Sequence, residues 1–177
     1  MPREDGPVER PSSDPHVVVV FSSLRTKPTA RARRVERSDV HVLLTRSDGR
    51  ILMMERANTG YADGQAGLPS GHLEDDETVL DAAIREAEEE VGVSIEPGDL
   101  TCVHVCHLRR TGEAARIGFF FATSRWRGEP ANREPHKCAR IWWADPAALP
   151  CQTLDYIAHA IPRIRQGQGL SVYGDWN

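Results

Sequence analysis

Apolar positions along the chain fall into runs that change period, and the periods predict the elements. Residues 39–45 (DVHVLLT) and 50–55 (RILMME) are rich in branched and long apolar side chains, so each predicts a strand. Ser47-Asp48-Gly49 between them is a turn signal, and the two strands are expected to form a hairpin. A loop rich in Gly, Asp and Asn follows from Asn58 to Gly67. Leu68-Pro69-Ser70-Gly71 and a short extended piece at 72–74 come next. Over 77–91 the period shifts to that of a helix, with Leu80, Ala83, Ile84, Ala87 and Val91 spaced by three and four along one stripe. Asp75, Asp76 and Glu77 are expected at its start, where acids suit the helix dipole, and Gly92 at its end. Further strands are predicted over 100–108, 116–123 and 139–144, with a strongly polar loop at 126–138. A last helix is predicted from Thr153 to Arg165, with Leu154, Ile157, Ala158 and Ile161 inward and Pro162 kinking it. The final dozen residues read as loosely ordered. Helices mixed with strands on short turns imply an α/β (α+β) sandwich with a mixed sheet.

The first 36 residues form a different region. Pro2, Pro7, Pro11, Pro15 and Pro28 interrupt any regular element, and only Val17–Phe21 has the make-up of a strand, free to add to the sheet or to a partner. Arg25 to Arg37 is strongly basic and reads as a solvated linker, with contact to a phosphate surface as the alternative. The expected division is a disordered tail over 1–36, one domain over 37–166 and a short tail over 167–177. At 177 residues, 40% apolar and 27% charged, the chain has the composition of one globular domain. A net charge of −4 gives no global field for nucleic acid. Cys102, Cys106, Cys138 and Cys151 contain no CxxC pair, and the Val17–Phe21 run is too short to span a bilayer. The first 15 residues lack the pattern of a leader, so a reducing, cytoplasmic setting is expected.

The chemistry concentrates in GHLEDDETVLDAAIREAEEEVGV, Gly71 to Val93. Glu86, Glu89 and Glu90 stand at i, i+3 and i+4, so three carboxylates share one helix face. Like charges at this spacing destabilise a helix by a few tenths of a kcal/mol per pair, roughly. A hard divalent cation reverses the sign of that interaction, and Mg2+ prefers carboxylate oxygen completed by water and substrate phosphate. Arg85 stands beside the cluster and could fix a carboxylate by a two-pronged hydrogen bond. A bare acidic run is more often a solvated helix face, so the spacing of the whole segment has to decide.

That spacing resembles the signature of the Nudix hydrolase family. The family's pattern is Gly, five residues, Glu, seven residues, Arg-Glu, an apolar residue, any residue, Glu-Glu, any residue, Gly and an apolar residue. Here it falls on Gly71, Glu77, Arg85, Glu86, Ala87, Glu89, Glu90, Gly92 and Val93, with Ala87 a small version of the usual aliphatic. Seven fixed residue types at about 6% background each would match by accident with odds of roughly 10^-8 to 10^-9 per start position. The resemblance spans about residues 38–165 and implies a Nudix-type α/β/α sandwich. It implies Glu86, Glu89, Glu90 and the Ser70 carbonyl as ligands of Mg2+, with Mn2+ as a substitute, and Glu77 and Arg85 as supports. Many relatives carry glycine where Ser70 stands, although a carbonyl ligand needs no particular side chain. In the MutT-like branch the first of the three acids serves as base, which points to Glu86.

Two further positions match that branch. Arg56 ends the second strand, 12 residues before Leu68, where the branch places a phosphate-binding arginine. Trp126-Arg127-Gly128-Glu129-Pro130, followed by Glu134, matches its Trp-x-Gly-Glu-Pro run with a loop acid four residues on. Glu134 is thereby a candidate ligand or general base. The resemblance implies hydrolysis of a nucleoside triphosphate, including an oxidised one such as 8-oxo-dGTP, to monophosphate and pyrophosphate. A nucleotide sugar, ADP-ribose or a dinucleoside polyphosphate is the alternative, and a non-catalytic nucleotide-binding module a third reading. Tyr61, Trp126, Trp142 and Trp143 are candidates to stack on a base, each weighed against core packing. Adjacent on a strand, Trp142 and Trp143 are expected one inward and one outward. His72 could reach a phosphate, whereas His104 and His107 fall on opposite strand faces and make no metal pair. A nucleotide-type small molecule is the expected partner, with no membrane, no strong nucleic-acid signal, and both monomer and homodimer open.

Overall fold

A computed structural model describes residues 37–176. The tail expected over 1–36, with its strand at Val17–Phe21, lies outside the described residues. The elements are β1 (Arg37–Leu44), β2 (Ile51–Arg56), β3 (Ala66–Gly67), β4 (Ser70–His72), α1 (Val79–Val91), β5 (Thr101–Arg109), β6 (Arg116–Thr123), β7 (Cys138–Ala144), α2 (Asp155–Arg165) and β8 (Leu170–Gly174). They build a five-stranded sheet in the order β4-β1-β6-β5-β8 and a three-stranded one in the order β3-β2-β7. The larger sheet is mixed: β1 runs parallel to β6 and β5 to β8, while β4 and β6 pair antiparallel with β1 and β5. The smaller sheet is antiparallel.

Two cores flank β1. Val40, Val42 and Leu44 join Ala82, Ala83, Ala87 and Val91 of α1, whereas Leu43 joins Phe120, Leu108, Ile157 and Ile161 on the α2 side. Alternate residues of β1 thus enter opposite layers, which is why the strand reads as nearly continuous apolar sequence. Fully burying one such side chain contributes about 1.5–3 kcal/mol. Among the described residues, no helix is long and apolar enough to cross a membrane.

The structure departs from expectation at several places. The turn at Ser47–Gly49 forms, with Arg46 N–H donating to Arg50 O and Gly49 N–H to Arg46 O. The hairpin beyond it does not: pairing stops after the Thr45–Ile51 bridge. Both edges of β1 are taken by β4 and β6, and both edges of β2 by β3 and β7, so the strands part into different sheets. Helix α1 starts at Val79, not 77. Thr78 caps it reciprocally with Asp81, which leaves Glu77 outside the helix. Helix α2 starts at Asp155 rather than 153, and its inward stripe runs through Tyr156, Ile157, Ala160 and Ile161 at helical spacing, which turns Ala158 out to solvent. The last residues are not loose throughout: Leu170–Gly174 pairs with β5 in register from Val105–Leu170 to Arg109–Gly174. The strand escapes notice in the sequence because Leu170 and Val172 remain exposed, so it carries little burial signal.

Candidate functional site

Helix α1 lays its acidic face against β4, and one contact sets how close the two come. A Cβ on Gly71 would lie 1.8 Å from Glu86 Oε1, so the Glu86 carboxylate occupies the space a side chain would need. Glu86 is 9% exposed there, and burial pushes its carboxyl above the usual range, opposed by Arg85. One turn on, Glu90 Oε2 accepts the Ser70 N–H at 2.7 Å. Burial pushes the Glu90 carboxyl up to about 8, with Glu86 and Glu134 adding repulsion. Glu89 stays largely in solvent. Ser70 lies opposite His41 in the β1–β4 pair and is not among the residues with positive φ, so this position needs no glycine.

Arg85 ties the helix to the chain before it. Its Nε and Nη2 donate to Glu77 Oε2 and Oε1 at 3.0 and 2.7 Å, a two-pronged pair. Nη1 donates to Glu86 Oε1 at 2.7 Å and Nη2 to His72 O at 3.2 Å. Glu77 in turn accepts the Glu74 N–H at 2.9 Å. One guanidinium therefore fixes Glu77, Glu86 and the β4 backbone together.

The polar loop 126–138 docks on the end of α1. Gly92 ends the helix in the left-handed region at φ 72°, and its own Cβ would meet Arg133 Nε at 2.5 Å. Ala131 and Arg133 donate their N–H groups to Val91 O and Glu90 O at 3.0 Å each, capping carbonyls that the helix leaves open. Asn132 then braces the turn, accepting the Glu134 N–H and donating to Cys138 O. This brings Glu134 toward Glu86 and Glu90, and Lys137 Nζ pairs with Glu134 Oε1 at 2.8 Å. Lys137 was not singled out in the sequence. It is one of two lysines in the chain, and that rarity was the available signal.

Glu86, Glu89, Glu90, Glu134, Arg85, Lys137 and Arg56 all line one cavity of about 860 Å³, a size suited to a small-molecule ligand. Among the described residues, no three Asp, Glu, His or Cys side chains are drawn around one point closely enough to hold an ion as they stand. Glu86 is turned to Arg85 and Glu90 to the Ser70 amide.

The other end of the cavity comes from β1, β6, α2 and the loop after β2. Arg56 lies there, its Nε donating to Tyr61 O at 3.1 Å and its guanidinium 5.5 Å from the Tyr61 ring centre. Asp63 accepts from Thr59 and Gly60, and Asn58 and Ala62 take left-handed backbone without being glycine, at φ 57° and 52°. Such residues are uncommon and mark a loop whose shape is held for a purpose. Arg110 clamps Tyr61 from its other side, donating to the phenol and lying 5.6 Å from the rings of both Tyr61 and Tyr156. Asp39 is 5% exposed, accepts from His72 Nδ1 at 2.6 Å and forms an ion pair with Arg116 Nη1 at 3.2 Å. His41 is buried beside them and stacks on Phe120, and burial lowers its pKa to about 4, so it is neutral.

The tryptophans do not belong to this cavity. Trp126 stacks on Trp143 at 6.1 Å between centres. Trp142 and Trp143 are both partly buried, each against a different core, with Arg140 and Arg46 over their outer faces. The expected split into one inward and one outward ring fails because β7 has a core on each side. Of the four aromatic candidates, only Tyr61 lines the cavity, and the sequence missed Tyr156, Asp39, His41 and Arg116. His72 pairs with Asp39, and His104 is taken up by Gln168 O and Ser171.

Comparison with known proteins bears on this geometry. The NUDIX domain pattern matches residues 35–164. Over 58 residues the chain is 40% identical to the phosphatase NudJ of Escherichia coli K12, a stretch that covers 33% of this chain and 37% of that protein. The match thus spans little more than a third of that relative. A MutT NUDIX hydrolase from Burkholderia pseudomallei superposes with a TM-score of 0.66 at 26% identity, covering 72% of this chain and 96% of its own. The MutT protein from Methanosarcina mazei Go1 gives 0.63 at 19% identity, over 74% and 94%, a likeness of fold. A bifunctional NMN adenylyltransferase/ADP ribose pyrophosphatase from Francisella tularensis, complexed with AMP and a Mn ion, gives 0.56 at 20% identity, over 76% and 42%.

Proposed function

Because the chain belongs to the NUDIX family, we propose that it hydrolyses a pyrophosphate bond in a nucleoside diphosphate derivative, with Mg2+ bound by Glu86, Glu89, Glu90 and the Ser70 carbonyl. The observation that carries this is that Glu86, Glu89, Glu90 and Glu134 line one cavity together with Arg56 and Lys137. The donor set fits the ion: all its atoms are hard oxygen, and Mn2+ suits the same set. Burial raises the carboxyls of Glu86 and Glu90, with neighbouring carboxylates adding to it, and a divalent cation would favour their ionised forms.

When bound, the ion neutralises phosphate oxygens and lowers the pKa of a coordinated water. The protein's own groups do the rest. Glu86 or Glu134 takes the proton from the attacking water, and a carboxyl raised by burial, as that of Glu86 is, makes a stronger base. Arg85 keeps the Glu86 carboxylate against Gly71 by its bond to Oε1 and its clamp on Glu77. Arg56 offers its guanidinium to a phosphate once it leaves the Tyr61 carbonyl, since a planar fork matches phosphate oxygens.

The preferred substrate is a nucleoside triphosphate, oxidised forms such as 8-oxo-dGTP included, giving monophosphate and pyrophosphate. The test is product analysis by mass spectrometry of purified protein with Mg2+ and a panel of canonical and oxidised triphosphates, ADP-ribose and nucleotide sugars. Monophosphate plus pyrophosphate from a triphosphate is expected. Cleavage confined to ADP-ribose or a nucleotide sugar would replace the substrate. Silence across the panel together with failure to bind Mg2+ would make the domain a binding module.

A further inference from the structure

The wall of the cavity away from the carboxylates holds polar capacity that the fold does not use. Asp39 and His41 are 5% and 2% exposed, side by side on the α2-facing side of β1. Asp39 accepts a hydrogen bond from His72 on one oxygen and forms an ion pair with Arg116 through the other. A carboxylate has about four lone-pair sites, so roughly half its capacity remains. Arg116 faces Asp39 through Nη1 and is hydrogen-bonded to the Tyr61 side chain, while its Nε is buried with no partner, as are both ring nitrogens of His41. A buried donor without a partner is costly, and a group of them at one wall of a cavity asks for a ligand. Tyr61 and Tyr156 line the same wall and supply aromatic surface, with Tyr61 held in place by Arg56 and Arg110.

We propose that the Asp39–Arg116 pair, framed by Tyr61 and Tyr156, is a nucleobase-reading site that sets which nucleotide this chain accepts. An acceptor beside a donor, both fixed by burial, matches the edge of a planar heterocycle that carries a donor next to an acceptor. Aromatic faces beside that pair suit the flat ring but not a flexible chain or a bare sugar. His72 links this end to the other: its ring holds Asp39, and its carbonyl accepts from Arg85, which holds Glu86. Correct seating of a base would thus meet the same short segment, Ser70 to His72, that frames the carboxylates. The inference rests on the nucleotide reading of the cavity.

Its test uses binding, not turnover. The full chain, without metal, is titrated in a calorimeter with the four common nucleoside 5′-monophosphates and with ribose 5-phosphate. One base is expected to bind best, and ribose 5-phosphate weakly. Asp39→Asn and Arg116→Gln should weaken the preferred nucleotide by roughly 5- to 150-fold, the range of a two-point base contact, and leave ribose 5-phosphate unchanged. Equal affinity for all four bases in the unaltered protein would overturn the proposal. So would an equal loss for every ligand in the variants, since that is what a structural role gives. If either variant fails to fold by circular dichroism, Tyr61→Leu replaces it, because Tyr61 sits on an exposed loop. It should narrow the spread among bases, and an unchanged spread would count against the site. Base-dependent binding without turnover of any nucleotide would sink the hydrolase reading and leave this one standing.

Discussion

The two ends of the cavity are built in opposite ways. Most of the carboxylate end comes from one stretch of 23 residues, Gly71 to Val93, folded as a short strand, a loop and α1, with Glu134 and Lys137 added from the loop before β7. Its side chains are tied to each other: Arg85 alone bonds Glu77, Glu86 and the His72 carbonyl. The opposite end takes Asp39 and His41 from β1, Tyr61 from a loop, Arg116 from β6 and Tyr156 from α2. Those residues lie up to 117 positions apart in the chain, Asp39 to Tyr156. Chemistry common to many substrates can reside in a local segment, since helix spacing alone sets its geometry. Recognition of a particular substrate draws on whatever strands and loops the fold happens to bring near.

The comparison predicts where single substitutions should hurt most. Glu86→Gln keeps shape but removes the charge and the base, so kcat should fall by about 10^2- to 10^4-fold. Steady-state kinetics check this, with circular dichroism showing the fold intact. A variant with near wild-type turnover would remove Glu86 from the mechanism. Gly71→Ala acts on the same carboxylate without touching it chemically. Its Cβ would overlap Glu86 Oε1, and the carboxylate must move. Mg2+ affinity or kcat/KM should drop by about 10- to 100-fold, as for groups that orient a metal ligand. Should Gly71→Ala behave as wild type, the tight approach of β4 and α1 would have no bearing on activity.

The same contrast explains what was legible in the sequence. Strands β1, β2, β5, β6 and β7 and helix α1 were readable because their apolar residues face two packed layers or one packed stripe. Position within sheets was not: the Ser47–Gly49 turn forms, yet β1 and β2 separate, because edge pairing is decided by distant strands. Strand β8 was missed since Leu170 and Val172 face solvent. In the site, the spacing of Glu86, Glu89 and Glu90 put them on one face, and the structure brings them to one cavity with Glu77, Arg85, Arg56 and Glu134 nearby. Asp39, His41, Arg116 and Tyr156 carry no local pattern. Each is an isolated polar or aromatic residue in an apolar run, which sequence alone assigns to the core. Trp142 and Trp143 follow the favoured reading of core packing over base stacking, since their faces are spent on two cores and two arginines.

A smaller effect separates the two ends by pH. Glu90 has its carboxyl raised to about 8, chiefly by burial, against a usual value of 4.5. The metal-free folded state therefore holds a proton that the unfolded chain has released. Between these two values folding takes up a proton, so stability falls as pH rises from about 5 to 8. The burden on folded protein at pH 8 is an ionised carboxylate near Glu86 and Glu134. Thermal melts in a chelator should thus show a midpoint that declines by several degrees, chiefly from about pH 6.5 to 8, where no opposing histidine slope acts. Glu90→Gln should flatten the decline, and so should saturating Mg2+, which binds the ionised form and favours the folded state by mass action. His41 acts in the opposite sense, because its value is lowered from 6.5 to about 4: between those values the unfolded chain holds the extra proton, so His41 raises stability with pH and offsets the Glu90 slope below about 6.5. A melt profile that stays flat from about pH 6.5 to 8 without metal would mean that Glu90 is ionised throughout, and that the carboxylate end is already balanced by Arg85 and Lys137 alone.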